Sequence, residues 1–255
     1  MDNNKAVSDW QKRFKLQARW TSAIRTFIFN AIDIHQATRI LDAGCGTGVL
    51  EAEIAPRYNF AIHGLDINGQ FLSYAKSSGT SAIYTQADAY HTPYETGIFD
   101  ACICHYFLLW IANPVEVLNE IKRITRLGGK IIAIAEPDYG GRIDYPPDLE
   151  EIGRMQANSL RGQGADPQIG RKLSALFHRV GLIDITTGLL GGQWTKPSQR
   201  DEWLAEWRTI EYDLNLLSDP HIDIERLKII DAEAIRTGEK VLYVPTFYAW
   251  GTVHN

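Results

Sequence analysis

The chain has 255 residues, of which 45% are hydrophobic and 22% charged, and a formal net charge of −5. This composition is typical of a globular protein large enough to bury a core without disulfides. The acidic balance argues against a nucleic-acid partner, and the longest apolar run, around "ACICHYFLLWIA", is about half as long as a membrane span. Three cysteines and a polar N-terminus without a signal peptide favour a reducing compartment. We therefore expect a cytoplasmic protein with no membrane partner, whose oligomeric state the composition leaves open.

In chain order, the hydrophobic pattern predicts one or two helices over residues 7–34 and then strands that alternate with helices. The strands are predicted at "RILDAG", "FAIHGLD", "SAIYTQAD", "FDACICHYF" and "GGKIIAIAEP". After a loop, "DYGGRIDYPP", come two helices, the strand "IDITTGLL", two more helices and a last strand, "TFYAWGTV". This alternation predicts an α/β fold, in which helices cover both faces of a parallel sheet.

Three features at predicted strand ends indicate a nucleoside site. In "LDAGCGTG" the glycines Gly44, Gly46 and Gly48 lie between a strand and a helix, where bare backbone lets a ligand approach closely. Asp66 ends the second strand, where a carboxylate can accept both ribose hydroxyls, and Asp88 ends the third. The spacing D-x-G-x-G-x-G differs from the dinucleotide pattern G-x-G-x-x-G, which disfavours a nicotinamide-dependent oxidoreductase without excluding it.

Five motifs, "LDAGCGTG", "GLDIN", "QADAY", "FDACICHYFLLWIANP" and "RLGGKIIAIAEP", follow one another over roughly residues 38–138. In this order they resemble the motifs of class I S-adenosylmethionine-dependent methyltransferases. The resemblance implies S-adenosyl-L-methionine as cofactor, S-adenosyl-L-homocysteine as product, and a Rossmann-like seven-stranded, mostly parallel sheet with an antiparallel last strand. The chain departs from the family at "TRLGG", where Leu127 replaces the usual proline.

The resemblance also implies which residues bind the cofactor. The glycine turn would hold the methionine part, Asp66 the ribose and Asp88 the adenine amine. Ile67 would line the adenine, and Ala89 would donate its backbone N–H to the adenine ring. The implied cofactor-binding residues are Gly44, Gly46, Asp66, Ile67, Asp88 and Ala89.

Other candidates have weaker support. In the family, helices before the first strand fold over the cofactor, so Arg19 and Trp20 could reach the methionine carboxylate or close the pocket, unless the helix is an ordinary amphipathic one. His105 follows the fourth strand, where it could position or deprotonate the acceptor or serve as a plain hydrogen-bond partner. Asp42 is expected to satisfy N–H groups of the loop beneath the cofactor. No His or Cys pair has metal-ligand spacing, so no metal site is expected.

We therefore expect one methyltransferase domain over residues 1–255, with a helical cap (1–37), a cofactor-binding core (38–138) and acceptor-side helices and last strands (139–255). It would transfer a methyl group in line to a small, partly apolar acceptor; a non-catalytic, cofactor-binding regulatory module is the alternative. The loop residues Glu136, Asp138, Tyr139 and Arg142 could meet the acceptor. The late aromatic residues that could roof an apolar pocket are Tyr139, Tyr145, Trp194, Trp203, Trp207, Tyr212 and Phe247.

Overall fold

The computed structural model describes residues 3–191, 200–217 and 223–255. Two helices precede the first strand, and strands and helices then alternate, except that no helix lies between the third and fourth strands. The elements of this half are α1 (Asn3–Trp20), α2 (Ser22–Ala31), β1 (Arg39–Ala43), α3 (Val49–Ile54), β2 (Ala61–Asp66), α4 (Gly69–Ser77), β3 (Ile83–Gln86), β4 (Phe99–His105), α5 (Pro114–Ile124) and β5 (Thr125–Pro137).

Within the described residues, the second half adds four helices and two pairs of strands. Its elements are β6 (Ile143–Tyr145), α6 (Glu150–Gly162), α7 (Leu173–Arg179), β7 (Ile183–Leu190), α8 (Arg200–Asn215), α9 (Ile224–Thr237), β8 (Val241–Tyr243) and β9 (Thr246–Thr252). The short strands β6 and β8 pair with each other, with Ile143 opposite Tyr243. We predicted a loop for "DYGGRIDYPP", because a three-residue strand with a distant partner leaves no periodic signal in the sequence.

The large sheet has the strand order β3-β2-β1-β4-β5-β9-β7. Its strands run parallel except β9, which is antiparallel to both β5 and β7. This confirms the predicted seven-stranded, mostly parallel sheet with an antiparallel last strand. The chain starts at β1 and moves outward in both directions, so the order reverses between β1 and β4. Ligands bind open α/β sheets at such a reversal, outside the carboxyl ends of the strands.

Neighbouring strand residues enter cores on opposite faces of the sheet. Leu41 and Cys102 pack on the face covered by α5 and α7, while Ile40 and Ile103 pack on the face covered by α2 and α3, and all four are fully buried. Burying one such aliphatic side chain stabilises the fold by about 1.5–3 kcal/mol. A third, smaller core joins α6, α8 and α9. The sheet is therefore fixed from both sides, and its carboxyl edge is a rigid platform.

The N-terminal helix α1 lies over this edge and packs against α3, α4 and α8. It therefore contacts both the first half of the chain, through α3 and α4, and the late helix α8. Within the described ranges, no helix combines the length and the apolar character needed to span a lipid bilayer.

Candidate functional site

A cavity of about 570 Å³ lies at the carboxyl ends of β1, β2 and β4, beneath α1. His105, the last residue of β4, is part of its wall. The structure also brings together at this wall the six residues that the resemblance implied for cofactor binding. These are Gly44, Gly46, Asp66, Ile67, Asp88 and Ala89.

The glycine turn presents bare backbone to the cavity. Gly44 and Gly46 have positive φ angles of 76° and 54°, a region that side chains disfavour. A Cβ on Gly44 would overlap the ring of Phe107, and a Cβ on Gly46 would lie 3.0 Å from the ring of Phe14. The turn is therefore glycine for two reasons, its backbone conformation and the absence of space for a side chain.

Asp66 holds the glycine turn against the end of β2. Its carboxylate accepts hydrogen bonds from the backbone N–H of Gly46 and of Asn68, both at 2.8 Å. Burial raises the pKa of Asp66, and these backbone hydrogen bonds oppose the rise. Because each carboxylate oxygen has two acceptor positions, Asp66 can still accept hydrogen bonds from a ligand in the cavity.

The adenine side of the predicted site combines one acceptor with apolar surface. Asp88 accepts the backbone N–H of Tyr90 through Oδ1 at 3.0 Å, which leaves Oδ2 as an acceptor for a ligand amine. Ala89 is buried, whereas Ile67 is 67% exposed although it is large and apolar. An exposed isoleucine on a cavity wall suits the flat apolar face of a base.

Asp42 is a buried acid without a full set of partners. Its side chain is 2% exposed, and no described group bonds to Oδ1. The expected role beneath the loop is therefore wrong for this oxygen, since the turn N–H groups of Gly44 and Gly46 donate to the carbonyl of Leu65 and to Asp66 instead. Burial and the charge of Asp66 raise the pKa of Asp42 to about 8, against the opposing charge of Arg25.

The N-terminal helix lines the cavity with a different face from the one we predicted. Arg19 and Trp20 are not among the lining residues, and Trp20 is 57% exposed. At 3.6 residues per turn Arg19 points to the opposite side of the helix from the stripe that begins at Trp10. The α1 residues that do line the cavity are Trp10, Arg13, Phe14, Gln17 and Ala18. Their helical spacing was visible in the sequence, but it did not say which stripe faces the site.

Arg13 brings a positive charge to the cavity wall. Its guanidinium lies 5.0 Å from the centre of the Trp10 ring, in a cation–π arrangement. Its charge also reaches Tyr139, whose pKa is raised by burial against the opposing charges of Arg142 and Arg13. Arg13 therefore takes the place at the cavity that we predicted for Arg19.

His105 is fixed from outside the sheet. Its Nε2 lies 2.9 Å from Oγ1 of Thr21, at the junction of α1 and α2. Burial, together with the charge of Arg25, lowers the pKa of His105 to about 3. The ring is therefore neutral, and it is a weaker base than the group near neutrality that general-base catalysis favours.

The next residue, Tyr106, has a φ of 50°, which is unusual for an aromatic side chain. The cavity wall includes Tyr106 as well as His105. Strained backbone of this kind often lies at binding sites, where surrounding contacts hold it in place. The end of β4 therefore turns two consecutive side chains toward the same cavity.

Two acids, Glu136 at the end of β5 and Asp138 just after it, are structural. Glu136 is fully buried and accepts the backbone N–H groups of residues 107–109 at 2.9–3.1 Å. Asp138 is buried and accepts a hydrogen bond of 2.8 Å from Arg171. The prediction that they meet the acceptor is wrong, because both carboxylates are engaged in holding the loops around the cavity. Arg142, which bonds to Asp144 at 2.8 Å, is also not among the lining residues.

Some of the late aromatic residues contact the cavity or the helix above it, and others hold the late helices together. Tyr139 lines the cavity, and Tyr212 packs against Trp10 with ring centres 5.8 Å apart. Trp203 and Trp207 donate their indole N–H groups to one carboxylate of α9, so they hold the late helices together. The remaining three are Tyr145, which is exposed, Phe247, which packs on the core, and Trp194, which lies outside the described residues.

Comparisons with known proteins identify the domain. Residues 41–133 match the family described as methyltransferase domain. The chain is 31% identical over 160 residues to the ubiquinone/menaquinone biosynthesis C-methyltransferase of Bdellovibrio bacteriovorus, covering 58% of this chain and 66% of the relative. It is 30% identical over 207 residues to a 37.1 kDa protein of transposon Tn4556 from Streptomyces fradiae, covering 76% of this chain and 59% of the relative.

The chain thus spans less than two thirds of the length of these curated relatives. Among solved structures, the phosphoethanolamine N-methyltransferase 2 of Haemonchus contortus in complex with S-adenosyl-L-methionine has a TM-score of 0.54 at 16% identity. The match covers 86% of this chain and 49% of that one. At this identity the likeness shows a shared fold.

The matched segment contains the glycine turn, Asp66 and Asp88, which are residues of the cavity wall. The family match and the geometry of the site therefore agree on the same part of the molecule. Residues 41–133 therefore carry a methyltransferase domain of the class I S-adenosylmethionine-dependent type.

Proposed function

We propose that this chain transfers a methyl group from S-adenosyl-L-methionine to a small, partly apolar acceptor by in-line displacement. The observation that carries the proposal is the cavity at the carboxyl ends of β1, β2 and β4, where a turn of bare backbone lies beside Asp66 and Asp88. A binding site for a nucleoside that carries an amino acid needs these groups at this edge of the sheet.

The residues present fit S-adenosylmethionine, the cofactor of this family. Asp66 would bind the ribose and Asp88 the adenine amine. Asp42, a residue of the cavity wall, would accept a hydrogen bond from the ammonium of the methionine part. Arg13 would pair with the methionine carboxylate. When bound, the cofactor supplies the methyl group on a sulfonium, so the chain itself needs little acid–base chemistry.

The chain would contribute mainly orientation and exclusion of water. Trp10 and Phe14 of α1 pack against Phe71 of α4, with ring centres 6.3 and 5.7 Å apart. These aromatic contacts close the cavity above the glycine turn. An acceptor atom held in line with the methyl carbon at about 3 Å would then react without competition from water.

The remaining wall suits a small, partly apolar acceptor. The volume of about 570 Å³ lies within the range of about 300–1,000 Å³ that is typical of small-molecule sites. Polar groups on this side are few, the side chains of Tyr139 and Gln163 among them. The apolar lining residues are Leu109, Trp110, Ile111, Pro137 and Leu160. A nucleic acid or protein substrate would instead need an open groove, and the net charge of −5 would repel a phosphate backbone.

We also propose that residues 1–255 form one cytoplasmic domain, with the cap, core and acceptor-side segments that the sequence predicts. The contact of α1 with both α3 and α8 supports it, since the cap touches the core and the late helices together. Segments that pack against one another in this way fit a single domain.

The test compares ligands and turnover. Calorimetry should show binding of S-adenosyl-L-homocysteine and no binding of NAD⁺, which would contradict the oxidoreductase alternative. Transfer of a labelled methyl group to a panel of small phenols, amines and carboxylic acids would then exclude the non-catalytic module. Tight binding of the cofactor with no transfer to any acceptor class would favour a regulatory module instead.

A further inference from the structure

The contact between His105 and Thr21 joins two distant parts of the chain. Nε2 of His105 lies 2.9 Å from Oγ1 of Thr21, which is fully buried. The contact ties the end of β4, at the cavity, to the junction of α1 and α2. Because water does not reach the hydroxyl, its proton and lone pairs must be satisfied by the protein.

The surroundings of Thr21 determine which partner donates. A hydroxyl has one proton and accepts through two lone pairs. Oγ1 lies 3.1 Å from the carbonyl of Gln17 and 3.2 Å from that of Ala18, and a carbonyl can only accept. Arg25 donates to Oγ1 from Nη1 at 3.1 Å. With the hydroxyl proton directed at one of these carbonyls, one lone pair of Oγ1 remains, and Nε2 of His105 fills it when Nε2 carries a hydrogen.

The other ring nitrogen then has no hydrogen. Arg25 is 3% exposed and pairs with Glu53, so a fixed positive charge lies beside the imidazole and disfavours a second proton. A neutral ring with hydrogen on Nε2 leaves Nδ1 as an acceptor. No hydrogen bond within the described residues reaches Nδ1, and Nδ1 is not among the buried atoms that lack a partner. It is therefore open to the cavity that His105 lines.

We propose that Thr21 and Arg25 are positioning residues that fix His105 with hydrogen on Nε2, so that Nδ1 accepts a hydrogen bond from an O–H or N–H of the acceptor. The proposal rests on the proposed function and narrows the acceptor to molecules whose reacting group carries a hydrogen. With that hydrogen directed at Nδ1, a lone pair of the same oxygen or nitrogen is free to face the methyl group. That lone pair would form the bond to the methyl carbon as the methyl–sulfur bond of the cofactor breaks, and the electron pair would leave with the neutral thioether of S-adenosyl-L-homocysteine. The methylated oxygen or nitrogen would then release its hydrogen to solvent as a proton, so His105 orients the acceptor and takes no proton.

The first test observes the ring itself. Nitrogen NMR of histidine-labelled protein, saturated with S-adenosyl-L-homocysteine, should show His105 with well-separated signals of a protonated Nε2 and a bare Nδ1. Thr21→Val removes the hydroxyl at nearly constant shape and should bring the two signals together, because both tautomers become populated. Thr21→Ser keeps the hydroxyl and should retain the wild-type signals. Hydrogen on Nδ1 in the wild type, or an unchanged spectrum in Thr21→Val, would overturn the proposal.

The second test compares two probe molecules, one that has a hydrogen to donate and one that does not. Phenol added to the same complex should shift the Nδ1 signal, whereas anisole, which carries a methyl in place of that hydrogen, should not. Equal effects of the two probes, or none with either, would exclude the acceptor role of Nδ1. Binding of S-adenosyl-L-homocysteine measured in parallel keeps this outcome distinct from a failure of the proposed function, which would abolish that binding.

Two substitutions of His105 distinguish the roles of its two ring nitrogens. The amide of His105→Asn lies near the position of Nδ1, and that of His105→Gln near the position of Nε2. We expect His105→Asn to keep the phenol response in the probe's own chemical shift, and His105→Gln to lose it. Both should bind S-adenosyl-L-homocysteine within about twofold of the wild type, a difference well under 1 kcal/mol. The opposite order would assign the cavity-side acceptor to Nε2 and overturn the proposal.

Discussion

The ring of Phe14 in α1 lies 3.0 Å from the position that a Cβ on Gly46 would occupy. The N-terminal helix thus contacts the glycine turn through Phe14, at one side of the cavity that both of them line. A ligand on the turn is enclosed by a helix that comes from outside the sheet, so α1 is part of the site and not only a cover on the fold.

Gly46→Ala should abolish binding of S-adenosyl-L-homocysteine while the domain stays folded. The added methyl group both strains a positive φ and displaces Phe14. Gly79→Ala is the matched control, because Gly79 has a φ of 74° and nothing lies within 4 Å of its Cβ position. Circular dichroism and calorimetry on both variants decide the outcome. Normal binding by Gly46→Ala would show that the turn does not touch the ligand.

Asp66→Ala should weaken binding of S-adenosyl-L-homocysteine. Loss of a charge-assisted hydrogen bond costs about 1.5–3 kcal/mol, which is about 10- to 150-fold in affinity. The variant should also unfold more easily, since Gly46 and Asn68 lose their acceptor.

Asp100→Ala controls for that second effect. Asp100 likewise accepts two backbone N–H groups, those of Thr38 and Arg39, but at the opposite edge of the sheet. We expect a lower free energy of unfolding and unchanged affinity for the ligand. If Asp100→Ala weakens binding as much as Asp66→Ala, the loss reflects general stability and Asp66 has no direct contact with the ribose.

Arg13→Gln should weaken S-adenosyl-L-homocysteine binding and leave the binding of 5′-methylthioadenosine unchanged. The second ligand has no amino-acid carboxylate, so the difference isolates the proposed charge pair. Arg19→Gln changes the same residue type on the same helix but outside the cavity wall, and it should affect neither ligand. Calorimetry with both ligands provides the comparison. If Arg13→Gln lowers the affinity for both ligands equally, Arg13 shapes the cavity wall and does not pair with the carboxylate.

Asp42 should make the protein less stable as pH rises. The unfolded carboxyl titrates near its ordinary value, whereas in the fold burial and Asp66 raise its pKa to about 8. Between these pKa values the folded state holds one proton more than the unfolded state. The free energy of unfolding therefore falls with rising pH, by at most about 1.4 kcal/mol per pH unit from this group.

Asp42→Asn removes this titration, so the variant should lose less stability than the wild type between about pH 5 and pH 8. Glu51→Gln should act in the same direction, because burial and Asp42 raise the pKa of Glu51 well above its ordinary value. Denaturant unfolding without ligand at several pH values measures the slope. Parallel curves for the wild type and Asp42→Asn would contradict the prediction.

Several features of the site were predictable because their signals are local. The glycine turn and the acids at the ends of β2 and β3 are short motifs in fixed relation to their own strands. In a parallel sheet those ends meet at one edge, whatever the remaining chain does. The positions of Gly44, Asp66 and Asp88 on one cavity wall follow from this geometry.

The contacts across the cavity could not be predicted in the same way. Helical periodicity predicts α1, but its rotation about its axis depends on packing against α3, α4 and α8. That rotation brings Arg13 to the wall in place of Arg19. Likewise, the sequence placed Glu136 at the mouth of the sheet without a partner. In the structure the backbone N–H groups of residues 107–109 donate to its carboxylate.

By itself the sequence determined the α/β fold, the edge of the sheet that binds the ligand and the family of the domain. Periodicity and short motifs suffice for these, since they depend on neighbours in the chain. Only the tertiary structure decided which face of α1 closes the cavity and which nitrogen of His105 faces it. The contact of Thr21 with His105, for example, joins residues that are 84 positions apart in the chain. A contact between residues so far apart in the sequence is set by the packing of whole elements.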